Sequence, residues 1–435
     1  MSHCERSVAI SYLRQVILII ILLLAIYVPA FAENAQEYNN QGVNYLDAGD
    51  YEKASEYLLT AYQLDPGNKI IKKNLANSYT SLAYQFAEKE NWAAAINYGE
   101  KAYELDNTNI RTAQNLAVSY NNYGYYQMKA GDFASANENY AKALKYDTGN
   151  WTIYVNYGNL MYQQGNMEEA VNYWQKALAL HPDIPDVKEK VAALQKENKI
   201  GEKFNKQGLS HFEVKYEGYE RQDLANKLLI ILNEAYYRLG ADFNCYPTEK
   251  VTVMIYTQGQ YGEVTGNPNW LPGQSEGGGM IRVTAEDIEK NEDRLENVLY
   301  HEYTHILLYR KVGLRIAKWL DEGLAQYKEP NDGAELSAAE QQLLNKHLVN
   351  NSMILLADLE NTFTARADQE AVNLAYVEAK TIILYLVDRN SFYHVLMLLD
   401  KLKAGKNINQ ALQDTFYLDQ QQFEQGWLSW LKGKY

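Results

Sequence analysis

The chain has 435 residues, too many for one ordinary domain, because a single hydrophobic core rarely grows beyond about 250 to 300 residues. Its composition is 47% hydrophobic, 22% charged and 12% aromatic, which is typical of a packed globular protein and excludes a largely disordered or fibrous chain. The formal net charge of −14 gives no general attraction to phosphate backbones, so no nucleic acid is expected as a partner.

The first residues have the pattern of an export signal. Two arginines precede an unbroken apolar run at 16–26, and Pro29 and an Ala-Phe-Ala triplet ending at Ala32 follow it. A proline just before a small-x-small site is typical of a cleaved signal, so we predict a signal peptide at 1–32 and a periplasmic, extracytoplasmic or secreted mature protein. The alternative is an uncleaved anchor, because the apolar stretch at 16–32 just reaches the minimum length of a membrane span. A membrane is expected as a partner only in that case.

One pattern of small residues occurs four times between residues 35 and 182. In each unit a small residue is followed by alanines twelve and nineteen positions later, and a short turn separates the two helical stretches. Corresponding residues of successive units are 41, 41 and 34 positions apart. The repeated small residues are Gly42, Ala54 and Ala61; Ala83, Ala95 and Ala102; Gly124, Ala136 and Ala143; and Gly158, Ala170 and Ala177.

These units resemble the tetratricopeptide repeat, a helix–turn–helix in which small side chains allow the paired helices to touch. Two units contain seven extra residues, at 69–75 and 110–116, which are expected to lengthen a helix by about two turns. Residues 185–199 are amphipathic and predict a capping helix. We therefore expect residues 33–200 to form an all-α solenoid.

The resemblance implies a protein or peptide as the ligand of the solenoid. The positions that would face its groove carry amides and aromatic rings, whereas members that bind an acidic peptide terminus use paired lysines and asparagines. An acidic terminus is therefore not the expected ligand. The alternative for the tyrosines is that they pack between helices. The groove positions are Asn39, Val43, Thr80, Tyr84, Asn121, Tyr125, Val155 and Asn159.

After residue 200 the pattern changes from helical repeats to a mixture of strands and helices, which predicts a second domain at 201–435. Alternating and β-branched residues indicate the strands. A loop with three consecutive glycines precedes the last strand, but no Gly-Lys-Ser/Thr follows it, so a phosphate-binding loop is not expected. The predicted elements are strands at 211–216, 250–256 and 280–283 and a helix at 222–239.

Residues 291–313 keep the apolar spacing of a helix and contain His301, Glu302 and His305 in the pattern HExxH. Histidines four residues apart lie on one helical face, so both imidazoles can bind one zinc ion while the intervening glutamate reaches a water bound to it. Zinc lowers the pKa of such a water towards about 7, and the carboxylate can accept its proton as the water attacks a carbonyl. Because the chain has only two cysteines, far apart, any metal must be bound by histidines and carboxylates. A third ligand is needed, and a carboxylate on a following helix is a candidate.

A second helical segment, WLDEGLAQY at 319–327, supplies that carboxylate. HExxH followed by W-x-x-E-G-x-A-x-Y closely resembles the gluzincin metallopeptidases with an MA-like peptidase domain, and the resemblance covers most of 205–431. It implies one catalytic Zn²⁺ with an open fourth position for water. The residues it assigns are His301, His305 and Glu322 as metal ligands and Glu302 as general base.

Three further assignments follow from the resemblance. Tyr376 matches a family tyrosine and is assigned as a hydrogen-bond donor to the developing oxyanion, the alternative being a tyrosine of the core. The strand at 280–283 matches an edge strand that pairs with the substrate backbone, the alternative being an ordinary sheet strand. Gln326, one turn beyond Glu322, is assigned to orient a ligand histidine.

The sequence therefore predicts a multidomain protein, in which an all-α tetratricopeptide-repeat solenoid is followed by an α+β gluzincin-like metallopeptidase domain. The predicted function is that of an exported zinc metallopeptidase that hydrolyses peptide bonds and whose repeats recruit a protein substrate or partner. One alternative is a cell-envelope scaffold or assembly protein with a catalytically silent peptidase-like domain. Another is a hydrolase of the same fold that acts on a non-peptide amide.

Overall fold

The structure is a computed structural model that describes residues 34–265, 273–276, 279–286, 292–314, 316–331, 333–363 and 368–435. The predicted signal peptide lies outside the described residues. The chain divides into two compact units. The first unit extends to Tyr123 and includes Asn139–Gly149, and the second comprises Gly124–Glu138 and Asn150–Tyr435. The predicted division at residues 200 and 201 stays a prediction.

Successive helices account for the repeat region, as the sequence predicts. The first helices of the second and third repeats have 20 residues each, whereas that of the fourth has 13, so the seven extra residues do lengthen a helix. The capping helix begins at Pro185 as predicted and continues to Gly201. The helices are α1 (34–47), α2 (Tyr51–Leu64), α3 (Lys69–Glu88), α4 (Trp92–Leu105), α5 (Ile110–Lys129), α6 (Phe133–Tyr146), α7 (Trp151–Gln163), α8 (Met167–Leu180) and α9 (Pro185–Gly201).

The repeated small residues lie where the two helices of a repeat touch. The eight alanines at the second and third positions of the pattern have 0% exposure, and Ala83, at the first position, has 5%. In the first repeat, a Cβ at Gly42 would lie 2.5 Å from Cγ of Leu58. In the fourth repeat, a Cβ at Gly158 would overlap the ring of Trp174. Larger residues at these positions would force the helices apart, which explains the repeated pattern.

A five-stranded mixed sheet with surrounding helices forms the rest of the second unit. The strand order is β1-β2-β3-β5-β4; β2, β3 and β5 are parallel, and the two outer strands are antiparallel to their neighbours. The predicted fold class is therefore confirmed for both parts of the chain. The strands are β1 (Asn205–Gly208), β2 (Phe212–Tyr216), β3 (Val251–Tyr256), β4 (Gly273–Glu276) and β5 (Met280–Thr284). The helices are α10 (Gln222–Phe243), α11 (Gln258–Thr265), α12 (Glu292–Val312), α13 (Lys318–Tyr327), α14 (Ala338–Val349), α15 (Leu356–Thr362), α16 (Gln369–Asn390), α17 (Phe392–Lys403), α18 (Ile408–Phe416) and α19 (Gln420–Lys434).

The prediction that residues 280–283 form an edge strand is wrong. This segment lies in β5, which pairs with β3 on one side and with β4 on the other. The outer position belongs to β4, a four-residue strand inside the glycine-rich segment that the sequence indicates as a loop. Its glycine and polar residues lack the β-branched side chains that would have identified it.

Contacts across residue 200 are more extensive than the sequence indicates. Glu197 of α9 forms an ion pair with Arg282 of β5, with N–O distances of 2.7 and 2.9 Å, and accepts a hydrogen bond of 2.6 Å from Tyr256 of β3. Glu197 and Arg282 are 4% and 2% exposed. The capping helix is thus attached to the sheet by a buried charged cluster, so it belongs to the same packed body.

Two repeat turns also touch the sheet and the helix that follows it. Gly131 contacts the backbone of Gly313, and Leu314 donates a hydrogen bond of 3.2 Å to the carbonyl of Lys129. Next to this contact, Phe133 stacks on Tyr309 with 5.4 Å between ring centroids. In the second turn, the backbone of Gly165 lies against that of Gly279. Side chains would separate the two backbones at both places.

Among the described residues, no single helix is long and apolar enough to cross a membrane. Helices α16 and α17 reach the required length and composition only together, as a pair bent by 115°.

Glu378 of α16 is fully buried and makes the stability of the fold depend on pH. Burial raises the pKa of its carboxyl to about 8; a backbone hydrogen bond from Ile354 opposes this shift and the charge of Glu424 adds to it. In the unfolded chain the carboxyl titrates near 4.5, so folding takes up a proton between these pH values. The contribution of Glu378 to stability is therefore fully present below pH 4.5 and is lost as the pH rises to about 8.

We expect Glu378→Gln to remove this dependence. Between pH 5 and pH 8 the wild-type free energy of unfolding should fall by up to roughly 4 kcal/mol more than that of the variant, as denaturant unfolding at the two pH values would measure. The exposed Glu370 on the same helix is the matched control, since Glu370→Gln should keep the wild-type loss. Parallel curves for wild type and Glu378→Gln would contradict the prediction.

Candidate active site

The two histidines of HExxH lie on one face of α12, and its other faces hold the helix against the sheet. Leu299, Ile306 and Leu307 are fully buried in the core of the second unit. Tyr303 packs edge-on against Phe212 of β2, with 5.3 Å between ring centroids. The apolar spacing of the sequence therefore fixes which face of the helix carries the histidines.

His301, His305 and Glu322 come together, although Glu322 belongs to a different helix. Their ligand atoms all lie within 4.8 Å of one another. Oε2 of Glu322 is 3.6 Å from Nε2 of His301 and 3.5 Å from Nε2 of His305. Two ligands about 2.1 Å from a tetrahedral zinc ion are about 3.4 Å apart, so these spacings fit one ion. The donor set also fits, since two imidazoles and a carboxylate are ligands of catalytic zinc sites.

Gly323 allows α13 to bring Glu322 to this position. A Cβ at residue 323 would overlap the carbonyl of Ala379, because α13 lies directly against α16 there. The neighbouring Ala325 is fully buried and Glu322 is 5% exposed. The small residues after the glutamate in the W-x-x-E-G-x-A motif thus set how deeply the carboxylate is placed.

Two carboxylates orient the histidines from behind. Nδ1 of His301 is 2.8 Å from Oε1 of Glu329, and Nδ1 of His305 is 2.7 Å from Oδ1 of Asp321. A carboxylate accepts a hydrogen bond from Nδ1–H and so keeps the proton on Nδ1, which leaves the lone pair on Nε2, the atom that faces Glu322. Both imidazoles are therefore held in the tautomer and orientation of metal ligands.

The acidic surroundings raise the pKa of both histidines. Burial by itself lowers the pKa of His305, but the charges of Asp321 and Glu322 and hydrogen bonds to both raise it to about 9. Burial also lowers the pKa of His301, but hydrogen bonds to Glu322 and Glu329 outweigh this effect and hold the pKa well above its ordinary value. Such an accumulation of carboxylates around two imidazoles favours positive charge, either as protons or as a divalent cation.

Glu322 remains ionised in this site. Burial raises the pKa of its carboxyl, but the charges of His305 and Lys318 and hydrogen bonds from both histidines hold the pKa well below its ordinary value. The carboxylate is thus available as an anionic ligand over the whole neutral range.

Glu302 and Tyr376 are placed near the three candidate ligands. Glu302 is 8% exposed, and its charge contributes to the raised pKa of His301. Burial raises the pKa of Tyr376, and the charges of Glu322 and Glu302 raise it further, which places this phenol within electrostatic reach of both carboxylates. At neutral pH Tyr376 is therefore a hydrogen-bond donor, as its predicted role requires.

The assignment of Gln326 as the residue that orients a histidine is wrong. Its Nε2 donates to the carbonyl of Tyr376 at 2.9 Å and to that of Glu322 at 3.4 Å, so the side chain lies between α13 and α16. Asp321 and Glu329 orient the histidines instead. Asp321 directly precedes Glu322, so the motif itself indicates that it lies near the site. Glu329 lies beyond the end of the helix, and no local pattern identifies it.

Sequence reasoning also missed Lys318. Its Nζ is 2.6 Å from Oε1 of Glu322 and 3.6 Å from Oδ2 of Asp321. The i, i+4 spacing of a lysine and a glutamate was available in the sequence, but such pairs usually lie on a solvated helix face.

Comparison with known families matches both parts of the chain. Residues 232–433 match the family model of the Peptidase MA superfamily, and residues 35–68 and 127–194 match models of the tetratricopeptide repeat. The predicted resemblances are therefore confirmed. No curated protein matches the chain.

Several solved structures share similarity with the chain. A structure of MamA AMB-1 is 17% identical, with a TM-score of 0.24, and the match covers 38% of this chain and 82% of MamA. PilF of Pseudomonas aeruginosa is 23% identical, with a TM-score of 0.22 and coverages of 39% and 72%. YrrB, described as a TPR protein with an unusual peptide-binding site, is 17% identical, with a TM-score of 0.20 and coverages of 38% and 98%.

Proposed function

We propose that this chain, which combines tetratricopeptide repeats with a Peptidase MA superfamily domain, is an exported zinc-dependent metallopeptidase. The observation that carries the proposal is the convergence of two imidazoles and one carboxylate on a common point. A carboxylate lies within hydrogen-bond distance of each histidine, and Glu302 directly follows His301 on the same helix. A structural zinc site normally uses four protein ligands, whereas three ligands leave a position for water.

The residues of this site divide the work of peptide hydrolysis. His301, His305 and Glu322 would hold the zinc ion, which supplies a Lewis acid that lowers the pKa of a bound water and polarises the substrate carbonyl. Glu302 accepts the proton of the attacking water and passes it to the leaving amine. Tyr376 donates a hydrogen bond to the oxygen on which negative charge develops. Asp321 and Glu329 keep the imidazoles in place throughout.

Metal content and hydrolysis test the proposal together. Purified residues 33–435 should bind one zinc and cleave peptides in a quenched fluorescent library. His301→Ala and His305→Ala should lose metal and hydrolysis, since each removes a ligand from a three-ligand site. His394, which contacts Ser391 and lies outside the site, is the control: His394→Ala should keep both properties. Full zinc binding without cleavage of peptides or proteins would favour the silent scaffold, and cleavage of non-peptide amides alone would favour an amide hydrolase.

The carboxylates behind the histidines should determine how tightly zinc is held. We expect Asp321→Asn and Glu329→Gln each to weaken zinc affinity by about 10- to 100-fold, because an amide is a poorer acceptor for the Nδ1 proton. Competition with a chromophoric chelator would measure the change. Glu335→Gln, at an exposed position of the segment that follows Glu329, should leave affinity unchanged. Equal affinities in all three variants would show that the histidines need no such support.

The repeats would recruit a protein, because tetratricopeptide repeats generally bind protein segments. Of the predicted groove positions, Tyr84 and Tyr125 are 59% and 45% exposed, whereas Asn39 and Asn121 are buried. Asn39 of the first repeat accepts a hydrogen bond of 2.9 Å from Asn74 of the second, so its side chain stabilises the packing between these repeats. Full-length Glu302→Gln protein, expected to bind substrate without cleaving it, provides the bait with which the bound protein can be identified.

Export of the protein is proposed from the pattern of its first 32 residues. We expect cleavage after Ala32, since the Ala-Phe-Ala triplet follows the apolar run and Pro29. Mass spectrometry of the exported protein should find Glu33 at the amino terminus. Ala32→Arg should block processing, because the cleavage site requires a small residue. An intact amino terminus on the exported wild-type protein would instead support an anchor.

A further inference from the structure

The side chain of Lys318 reaches into the candidate active site from the first turn of α13. Its Nζ is 2.6 Å from Oε1 of Glu322, one turn further along the same helix. Lys318 is 41% exposed but Glu322 only 6%, so the pair is not an ordinary solvated ion pair. The ammonium group of this lysine contacts a carboxylate that is almost completely buried.

The two carboxylate oxygens of Glu322 have different neighbours. Oε2 faces the histidines, at 3.6 Å from Nε2 of His301 and 3.5 Å from Nε2 of His305, whereas Oε1 faces Nζ of Lys318. A carboxylate can bind a cation through one oxygen or through both. A charge-assisted hydrogen bond at Oε1 favours the one-oxygen mode, since that oxygen is already engaged.

The lysine is itself held in place. Its backbone N–H donates a hydrogen bond of 2.7 Å to Oε2 of Glu360. Its Nζ also lies 3.6 Å from Oδ2 of Asp321, the residue whose other carboxylate oxygen contacts Nδ1 of His305. Lys318 therefore touches the carboxylates on both sides of His305: Asp321 behind the ring and Glu322 in front of it.

We propose that Lys318 is a positioning residue that occupies Oε1 of Glu322, so that this glutamate offers only Oε2 to the metal and a coordination position is left for water. The inference rests on the proposed zinc site. In this role Lys318 orients the metal ligand Glu322 and does not contact the substrate. Without the lysine, Glu322 is free to turn and to offer both oxygens, which would fill the position that water needs.

Substitution with cobalt tests this arrangement apart from activity. The visible bands of bound Co²⁺ weaken as the number of ligands rises, so they report on coordination directly. We expect Lys318→Met to bind one Co²⁺ with clearly weaker bands than the wild type. Lys318→Arg keeps a cationic donor for Oε1 and should retain the wild-type bands. Lys346→Met is the control, because it removes a lysine from an exposed ion pair with Glu370 on the surface.

Steady-state kinetics of the zinc forms supply the second measurement, on a quenched fluorescent peptide that the wild type cleaves. In Lys318→Met, kcat should fall by about 10- to 100-fold with KM changed less than about twofold, since the lysine acts through Glu322. Lys318→Arg should recover most of this loss. Identical cobalt spectra for Lys318→Met and the wild type would overturn the inference, as would a rise in KM alone, which would indicate that the lysine binds a substrate carboxylate.

The outcomes separate this inference from the proposed function. A wild type that binds metal without hydrolysing peptides would contradict the proposed function, while the cobalt spectra would still decide the role of Lys318. Normal hydrolysis with unchanged spectra in Lys318→Met would contradict the role of Lys318 alone. A wild type that binds neither zinc nor cobalt would overturn both.

Discussion

Glu302→Gln is expected to keep one bound zinc and to lose hydrolysis by about 10²- to 10⁴-fold, the usual contribution of a general base. Glutamine has nearly the shape of glutamate, and residue 302 is not one of the three candidate ligands. The metal content should therefore not change. It cannot accept the proton of the attacking water at neutral pH, so kcat should fall. Metal analysis and peptide cleavage on the same preparation would measure both quantities.

Glu296 of the same helix provides a matched control. It accepts a hydrogen bond of 3.3 Å from Asn331 and lies more than a turn before His301, so Glu296→Gln should retain both zinc and activity. Loss of zinc from Glu302→Gln would mean that Glu302 is itself a ligand. Full activity in that variant would mean that another group accepts the proton.

The second large effect is expected at the ion pair of the capping helix. Burial raises the pKa of Glu197, but hydrogen bonds from Arg282 and its charge lower the pKa below its ordinary value, so the pair is ionised. Removing one partner of a buried pair leaves a charge without compensation, which typically costs 3 to 5 kcal/mol. We expect Glu197→Ala to lower the free energy of unfolding by about that amount, as denaturant unfolding would show.

Two further variants separate charge from packing at this site. Glu197→Leu combined with Arg282→Met removes both charges and should recover much of the lost stability. Glu370→Ala disrupts an exposed ion pair with Lys346 and should cost much less stability, because solvent screens an exposed pair. If Glu197→Ala is no less stable than Glu370→Ala, the buried pair contributes little to holding the capping helix.

The parts of the structure that sequence predicts well are those specified by local spacing. Positions four residues apart place His301 and His305 on one helical face whatever the rest of the fold does. The repeated small residues fix the helical pairs in the same way, as Gly42 and Gly158 show by their contacts with Leu58 and Trp174 of their own repeats. The family motif then connects the histidines to Glu322, a contact that helical spacing alone does not imply.

The contacts that sequence did not predict join residues that are distant along the chain. Glu329 reaches His301 across 28 positions, and Arg282 reaches Glu197 across 85. Strand β4 was missed because its pairing with β5, rather than its own composition, makes it a strand. Lys318 could have been found by its spacing, but its importance depends on the burial of Glu322, which is a property of the packed structure.

The close approach of glycine to glycine at two repeat turns limits how this protein can be rearranged by recombination. A Cβ at Gly313 would lie 2.5 Å from the backbone nitrogen of Gly131, and one at Gly165 would lie 2.9 Å from Cα of Gly279. Exchanging the third or the fourth repeat for a generic one would therefore remove one of these two contacts, even if the new repeat were stable. Repeats inserted or deleted upstream of the third repeat would leave both contacts intact. Variation in the length of the array among related proteins is accordingly expected near its amino-terminal end, with the last two repeats inherited together with the part of the chain that contains the sheet.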